Sequence, residues 1–314
     1  MAETYVVTGG AGFIGSHIAQ RLLSDGHRVR IVDNFATGKR GNIGQWAGDL
    51  TVHEISITDR AALDEPFSGA DYVFHQAALP SVPRSIDDPL MTNEYNVTGT
   101  LNVLLAARDS GVKRVVYAAS SSAYGDIEGE FKDESMPPRP LSPYGVSKLA
   151  GEYYCQAFTE VYGLETVSLR YFNVFGPRQD ETSQYAAVIP LFIASMLRGQ
   201  PPTIYGDGTQ SRDFTYIDNV VHGNLLAATA PNAAGQTMNL ATGARISLLD
   251  LVEKLNRLMG TSFEPILAPA RPGDIKHSRA DVSRAGELLG YEPVVEFDAG
   301  LARTLEWYRT REQV

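Results

Sequence analysis

Apolar and polar positions along the first half of the chain switch repeatedly between two periods. Tyr5–Val6–Val7 is a short continuous apolar run, the pattern of a strand buried on both faces. From Phe13 the period becomes helical, with Ile14, Ile18, Leu22 and Leu23 on one face. The same exchange then recurs. Strands are predicted at Arg28–Val32, Thr51–Ile55, Asp71–His75, Arg114–Ala119 and Glu165–Arg170, and helices near Asp59, over Asn93–Asp109 and over Tyr144–Tyr162. Such alternation predicts an α/β architecture, a doubly wound parallel sheet with helices on both faces. Ligands of such a sheet bind beyond the carboxyl ends of its strands.

After Arg170 the rhythm changes. Prolines recur at Pro190, Pro201, Pro202, Pro231, Pro265, Pro269, Pro272 and Pro293. Helical patterns fall at Ala187–Leu197, Asp218–Thr229, Leu248–Met259, Ser283–Leu289 and Ala299–Tyr308. The expectation is a cofactor-binding domain over residues 1–170 and a smaller C-terminal α/β substrate domain over 171–314. The segment from about 213 to 245 is a candidate to return to the first domain.

The junction between the first strand and helix carries chemistry. Gly9, Gly12 and Gly15 recur at three-residue intervals there. Glycine lets the turn adopt positive φ and lets a ligand approach the backbone closely. The helix N-terminus offers free N–H groups and a partial positive charge to a pyrophosphate. A glycine triplet alone is a weak signal; placed after a strand and before a helix it reads as a Rossmann-type dinucleotide site. The second strand ends at Asp33, eighteen residues after Gly15. A carboxylate there accepts hydrogen bonds from ribose hydroxyls and repels a 2′-phosphate, which favours NAD over NADP. Lys39 and Arg40, just downstream, argue the other way.

Composition narrows the partners. The net charge of −10 speaks against general nucleic-acid binding, while local arginines can still serve an anionic small ligand. A single cysteine, Cys155, excludes an internal disulfide and reads as a small core residue in a reducing compartment. No apolar run suits a bilayer, and the first strand begins too early for a signal peptide to precede it. The expectation is a cytoplasmic protein without membrane or metal.

Tyr144 and Lys148 are four apart on a predicted helix and therefore share a face. A phenol of pKa near 10 is a poor base at neutral pH, and a nearby ammonium lowers that value. Such a pair is common on solvated helix faces; its setting in a dinucleotide fold is what makes it a candidate. Ser120–Ser121–Ser122 ends the fifth strand, where a serine can share a proton between Tyr144 and a substrate hydroxyl. Alone, the serine cluster is better read as a polar loop.

Four motifs in order over nearly the whole chain resemble the extended short-chain dehydrogenase/reductase superfamily. They are Gly9–Gly10–Ala11–Gly12–Phe13–Ile14–Gly15, Tyr144 with Lys148, Arg170 through Arg178, and Ser211 through Asp218. The closest resemblance is to NAD-dependent UDP-hexose 4-epimerases, particularly the UDP-N-acetylglucosamine type; His75 through Ser85 and Tyr185 through Pro190 point there. The resemblance implies Tyr144, Lys148 and Ser120 as catalytic residues. It implies cofactor contacts from Gly9, Gly12, Phe13, Ile14, Asp33, Asn34, Ser56, Ile57, Gln76, Ala77, Ala78, Asn96 and Phe172, with Tyr144 and Lys148 also touching NAD. Ser56 stands where the family usually has aspartate. UDP-sugar contacts are implied for Arg84, Ser121, Ser122, Asn173, Val188, Tyr205, Arg212, Arg271, Asp274 and Ser278. A homodimer through the Asn93–Asp109 and Tyr144–Tyr162 helices is likewise implied.

The fold alone does not choose the reaction. In the family's 4,6-dehydratases the loop after the fifth strand carries an Asp–Glu pair, and decarboxylases resemble them there. Here the three places are serines. What remains is oxidation at C4 by NAD, rotation of the 4-ketose, and reduction from its other face. Aligned through Asp274 and Asp281, Ser278 takes the place of a bulky tyrosine in epimerases restricted to UDP-glucose and UDP-galactose. That leaves room for a 2-acetamido group and predicts UDP-N-acetylglucosamine and UDP-N-acetylgalactosamine as the substrate pair, with the non-acetylated pair as a second one. UDP-glucuronate 4-epimerase is the closest alternative.

Overall fold

The computed structural model describes residues 2–44, 46–127, 129, 131–182, 187–270 and 276–312. The first apolar run forms β1 (Thr4–Thr8), all five residues buried. Helix α1 (Phe13–Ser24) follows and buries Ile18, Ala19, Leu22 and Leu23. Then come β2 (Arg28–Val32), β3 (Leu50–His53), β4 (Tyr72–His75), β5 (Arg114–Ser120) and β6 (Glu165–Tyr171). Among the described residues these six and a seventh strand, Gln236–Leu240, form one sheet in the order Gln236–Leu240, β6, β5, β4, β1, β2, β3. Every pairing is parallel. The chain leaves β1 toward β2 and β3, then crosses back to place β4 on the other side of β1. A crevice therefore opens beyond the carboxyl ends of β1 and β4, where a doubly wound sheet binds its ligand.

The elements differ from expectation in informative ways. β3 stops at His53 rather than Ile55, because its partner β2 ends at Val32, opposite His53, and enters the Asp33 loop. The predicted Asn93–Asp109 helix starts earlier, at Pro89, where Asp88 accepts the Met91 N–H at 2.9 Å. It passes through a π turn at Glu94–Thr98 before Gly99–Asp109. The C-terminal helices lie at Val188–Leu197, Ile217–Thr229, Leu248–Met259, Ser283–Leu289 and Phe297–Glu312. The helix Leu248–Met259 has both ends specified: a Ser247–Asp250 capping box and a left-handed Gly260. Three small ladders were not expected. Val174–Phe175 pairs with Thr215–Tyr216, Ser211–Arg212 with Ile246–Ser247, and Thr203–Tyr205 with Ile266–Ala268. A large apolar cluster runs from β1 and α1 through Phe175, Phe192 and Phe214 to Leu251 and Leu301. Among the described residues no helix is long and apolar enough to cross a membrane.

Candidate active site

The crevice is a cleft of about 740 Å³. At its centre the glycine turn requires glycine for two separate reasons. A Cβ on Gly9, at φ +68°, would lie 2.7 Å from the Ala77 nitrogen at the end of β4. A Cβ on Gly15 would lie 2.2 Å from the Gly9 carbonyl oxygen. Gly12 precedes α1 without a side-chain cap. The first helical N–H groups thus lack a side-chain acceptor beside a cleft wall made of Gly12, Phe13 and Ile14, a site suited to a pyrophosphate.

Beyond β2 the wall continues through Asp33, Asn34, Gly38, Lys39, Ser56 and Ile57. Asp33 is held by two backbone donors, Ala11 N–H at 2.9 Å and Phe35 N–H at 2.8 Å. Burial raises its carboxyl pKa against those bonds. The Asn34 side chain reaches the Tyr95 hydroxyl and caps the Ala36 N–H, and Ser56 Oγ bonds Thr58. Lys39 is paired with Asp180 at 2.8 Å and Arg40 with Glu54 at 2.5 Å. Both cations that could have welcomed a 2′-phosphate therefore face carboxylates, and the NAD reading gains support.

The other end of the cleft holds Tyr144 and Lys148. Their helix, Pro143–Tyr162, starts with Pro143 behind Ser142, whose hydroxyl accepts the Gly145 N–H at 3.1 Å. Both residues line the cleft. Lys148 Nζ donates to the Ala118 carbonyl at 2.9 Å, and burial lowers its pKa to about 8. Ser122 Oγ donates to Ser120 Oγ at 2.8 Å. That leaves the Ser120 proton for Tyr144, whose hydroxyl it meets. Burial raises the Tyr144 pKa, and the Ser120 hydrogen bond opposes the rise. The expected lowering by Lys148 is not what acts on the Tyr144 hydroxyl here: burial dominates, and Ser120 is the group that favours the phenolate. Ser120, Ser121 and Ser122 are all outside the cleft wall, which here is made of Ala118, Ala119 and Tyr144; Ser120 touches the Tyr144 hydroxyl from behind it, and Ser122 acts through Ser120.

Behind the cleft, His75 is fully buried and its pKa falls to about 3. Thr100 spends its proton on the Asn96 carbonyl at 2.6 Å. His75 Nε2 must then donate to Thr100 Oγ1 at 2.9 Å, and Nδ1 accept from Thr8 Oγ1 at 2.7 Å. Asn96 accepts the Leu79 N–H at 2.7 Å and donates to Ser147 Oγ at 3.0 Å. Asn96 is therefore a strut between the π turn, the helix of Tyr144 and Lys148, and the loop of Gln76, Ala77 and Ala78, rather than a cleft wall. The three loop residues do line the cleft.

Phe172 does not. It is fully buried, packing with Tyr124, Ala241 and Ala280. Side chains alternate along the end of β6, so the preceding residue, Tyr171, lines the cleft instead. Its hydroxyl donates to Asn224 Oδ1 at 2.9 Å and receives the Gln76 amide at 3.0 Å. The sequence reading passed over Tyr171, although its place at the carboxyl end of a strand was a usable signal. It also passed over Arg178, which lines the cleft at φ +68° and reaches the Ser16 hydroxyl on α1. Among the described residues four non-glycines have such positive φ: Phe35, Ser81, Asn173 and Arg178. The last three line clefts, as strain concentrated at a working site would.

A second cleft of about 250 Å³ adjoins the first, and Ala187 belongs to both. Asn173, Val188, Tyr205 and Arg212 line it, while Arg84 lines the first. Ser278 is buried, at 9% exposed, in neither wall. Its N–H donates to Ser211 O at 3.1 Å, beside Arg212. Arg271, Asp274 and Tyr185 lie outside the described residues. Cys155 is buried in the core with its pKa raised to about 12, a packed thiol.

Comparison with known proteins gives this geometry relatives. Residues 5–241 match the model of the "NAD dependent epimerase/dehydratase family". A "Putative UDP-glucose 4-epimerase" of Methanocaldococcus jannaschii is 38% identical, over 98% of this chain and 99% of its own. A "UDP-N-acetyl-alpha-D-glucosaminuronate decarboxylase" of Bacillus cytotoxicus is 32% identical, over 99% of both. Among solved structures, the UDP-N-acetylglucosamine 4-epimerase of Methanobrevibacter ruminantium M1, in complex with UDP-N-acetylmuramic acid, superposes with TM-score 0.95 at 40% identity, covering 99% of this chain and 100% of that one. The UDP-glucuronic acid 4-epimerase of Bacillus cereus, with UDP-glucuronic acid and NAD, gives 0.91 at 34% identity, covering 98% and 99%. The glycine turn at Gly9–Gly15, the parallel sheet and the match over most of its length lead to one assignment: the chain belongs to the NAD dependent epimerase/dehydratase family, the extended short-chain dehydrogenase/reductases.

Proposed function

We propose that this protein is an NAD-dependent UDP-sugar 4-epimerase whose preferred pair is UDP-N-acetylglucosamine and UDP-N-acetylgalactosamine. The observation that carries the epimerase reading is the Ser122–Ser120–Tyr144 donor chain, with Tyr144 and Lys148 in the wall of a cleft that adjoins a second one lined by Asn173, Tyr205 and Arg212. Among the described residues the carboxylates lining either cleft are Asp33 and Asp180. Both stand at the Lys39 end, so neither serves as the acid or base of a dehydration at the Tyr144 end. The residues fit NAD: glycines whose Cβ atoms would fill the cradle, uncapped helix N–H groups, and a fixed carboxylate one strand away.

When bound, NAD supplies the hydride acceptor for C4 and the donor for its return. The protein's residues manage protons and orientation. Tyr144 Oη takes the proton of the sugar 4-hydroxyl as C4 is oxidised, and Ser120, itself held by Ser122, stabilises the phenolate by donation. Lys148 places an ammonium one helical turn away. After the 4-keto sugar turns over, Tyr144 returns the proton to the opposite face. Arg212, with its forked guanidinium, suits the diphosphate and keeps the nucleotide anchored through the turn.

The N-acetyl preference rests on the resemblance at Ser278, a small residue whose backbone N–H bonds Ser211 O beside Arg212 and which itself lines neither cleft. A UDP-glucuronate reading has one observation in its favour: Arg84 places a cation in the wall of the Tyr144 cleft, opposite in charge to a 6-carboxylate. The test is a panel of UDP-sugars offered to wild type and Ser278→Tyr. The larger side chain should remove turnover of the N-acetylated pair and spare any UDP-glucose activity. Equal loss on both, or loss on neither, overturns the role of Ser278; turnover confined to UDP-glucuronate supports the second reading.

A further inference from the structure

The catalytic helix carries a second buried charge that the mechanism above does not use. Glu152 lies one turn beyond Lys148, on the same face. Its side chain is 2% exposed. Arg170, from the end of β6 and itself 6% exposed, grips it with both arms of the guanidinium: Nε to Oε1 at 3.0 Å and Nη2 to Oε2 at 2.7 Å. The guanidinium lies 4.6 Å over the Tyr124 ring, and the Tyr124 hydroxyl is tied to Asn239 Oδ1 at 2.7 Å. Glu152 is therefore fixed from outside its own helix.

Lys148 needs such a group. Burial works against its charge, and its nearest partner is a neutral carbonyl, Ala118 O. The groups around it are few. On its own helix stand Tyr144, Glu152 and Cys155, the last a neutral thiol. From β5 the Tyr117 ring lies 5.2 Å from Nζ. Tyr117 reaches under the helix because residue 151 is glycine: a Cβ there would come 2.2 Å from the Tyr117 hydroxyl. From β4, His75 is neutral. From β6 comes Arg170, a second cation whose effect is mediated by Glu152. The outer segments packed on the helix carry Arg84, Asp87, Asp88, Glu94, Tyr95, Arg108 and Asp109, and the far end of β6 carries Glu165, paired with Arg114. Among these groups Glu152 is the carboxylate that raises the Lys148 pKa.

We infer that Glu152, oriented by Arg170, is a positioning residue for the tyrosine–lysine pair: it is the buried counter-charge that keeps Lys148 an ammonium at the pH of turnover. The inference rests on Tyr144 and Lys148 being the catalytic pair. Arg170 competes with Lys148 for the same carboxylate, so the two members of the pair should have opposite effects. Neutralising Glu152 withdraws support from Lys148. Removing Arg170 leaves Glu152 wholly to Lys148. A pair that only braced the fold has no reason to give opposite signs.

The experiment reads the Lys148 ionisation directly. The chain has six lysines, so ¹³Cε-lysine NMR resolves them, and a Lys148→Arg variant assigns the Lys148 signal. Holoenzyme and cofactor-stripped protein are titrated for wild type, Glu152→Gln and Arg170→Met. Loss of a facing opposite charge should lower the Lys148 pKa by ~1 unit or more in Glu152→Gln, with a rise in Arg170→Met. The kcat–pH profile should follow. Its basic limb, where Lys148 loses its proton, moves to lower pH in Glu152→Gln and to higher pH in Arg170→Met, with KM for the UDP-sugar little changed. If Glu152→Gln leaves Arg170 unpaired and the protein unfolds, the double variant Glu152→Gln/Arg170→Met removes both charges and should still lower the pKa. A Lys148 titration unmoved by these changes, or moved in the same direction by both single variants, overturns the inference. Failure of the function reading is seen separately: wild type would then turn over no UDP-sugar while the NMR shifts stood.

Discussion

Lys148 ought to cost the fold stability in return for chemistry, and the cost can be worked out. An ordinary lysine pKa of 10.5 falls to about 8 here through burial. A fall of that size is about 3 kcal/mol of differential stabilisation between the protonation states. The sign follows from proton binding. Between pH 8 and 10.5 the unfolded chain holds the lysine proton and the folded chain does not, so wild-type stability rises with pH across that window. Below pH 8 the full penalty stands. Lys148→Met removes it, but leaves the buried Ala118 carbonyl without its 2.9 Å donor, a loss of about 1–3 kcal/mol. At pH 7 the balance favours the variant by about 1 kcal/mol, roughly 2–4 °C in Tm. Above pH 10.5 the penalty has gone from wild type while the orphaned carbonyl remains, so the variant becomes the less stable protein. The assay is thermal or urea unfolding of both proteins at pH 7 and again near pH 10.5. Both are stripped of cofactor, because NAD bound to wild type alone would mask the effect. A variant that is destabilised equally at both pH values would refute the reasoning, since it would show no charge penalty on Lys148.

Three further outcomes follow from the same geometry. Tyr144→Phe should keep the fold and lower turnover at least ~100-fold, the low end for losing a general acid–base group; steady-state rates checked against an unchanged circular dichroism spectrum decide it. Asp33→Ala should weaken NAD and relax discrimination against NADP, with the Ala11 and Phe35 N–H groups losing their acceptor; cofactor affinities by calorimetry test this, and an unchanged NAD/NADP ratio removes Asp33 from the site. Gly15→Ala places a methyl 2.2 Å from the Gly9 carbonyl oxygen and should lower both unfolding temperature and NAD occupancy, overpacking of this kind costing about 1–3 kcal/mol.

Much of this was legible because the signals were local. The β1–glycine–α1 junction, the end of β2 at Asp33 and the Tyr144–Lys148 face each lie within one or two elements, and periodicity places them. What escaped reading depends on partners distant in sequence. The seventh strand, Gln236–Leu240, contains Gln236, Thr237 and Asn239, and is a strand because β6 pairs with it. The Lys39–Asp180 bridge joins residues 141 apart. The cleft side of Tyr171 and the core side of Phe172 turn on where β6 ends, within one residue. Gly99, directly after the π turn at Glu94–Thr98, packs against the distant Ile57, where a Cβ would lie 2.6 Å from Cδ1. The Tyr144 hydroxyl is a similar case: the sequence shows the lysine four residues on, but not the depth of burial that raises the phenol or the Ser120 hydrogen bond that opposes it.

The central claim is that C4 is oxidised and reduced again by one resident cofactor while Tyr144 moves only the hydroxyl proton. The most direct measurement uses UDP-N-acetylglucosamine carrying deuterium at C4, incubated with the purified holoenzyme in ordinary water with no cofactor added. The account predicts a mixture of the two C4 epimers in which the product keeps its deuterium at C4. Epimerisation with loss of the label to solvent, or a dehydrated or decarboxylated sugar in place of the epimer, would contradict it.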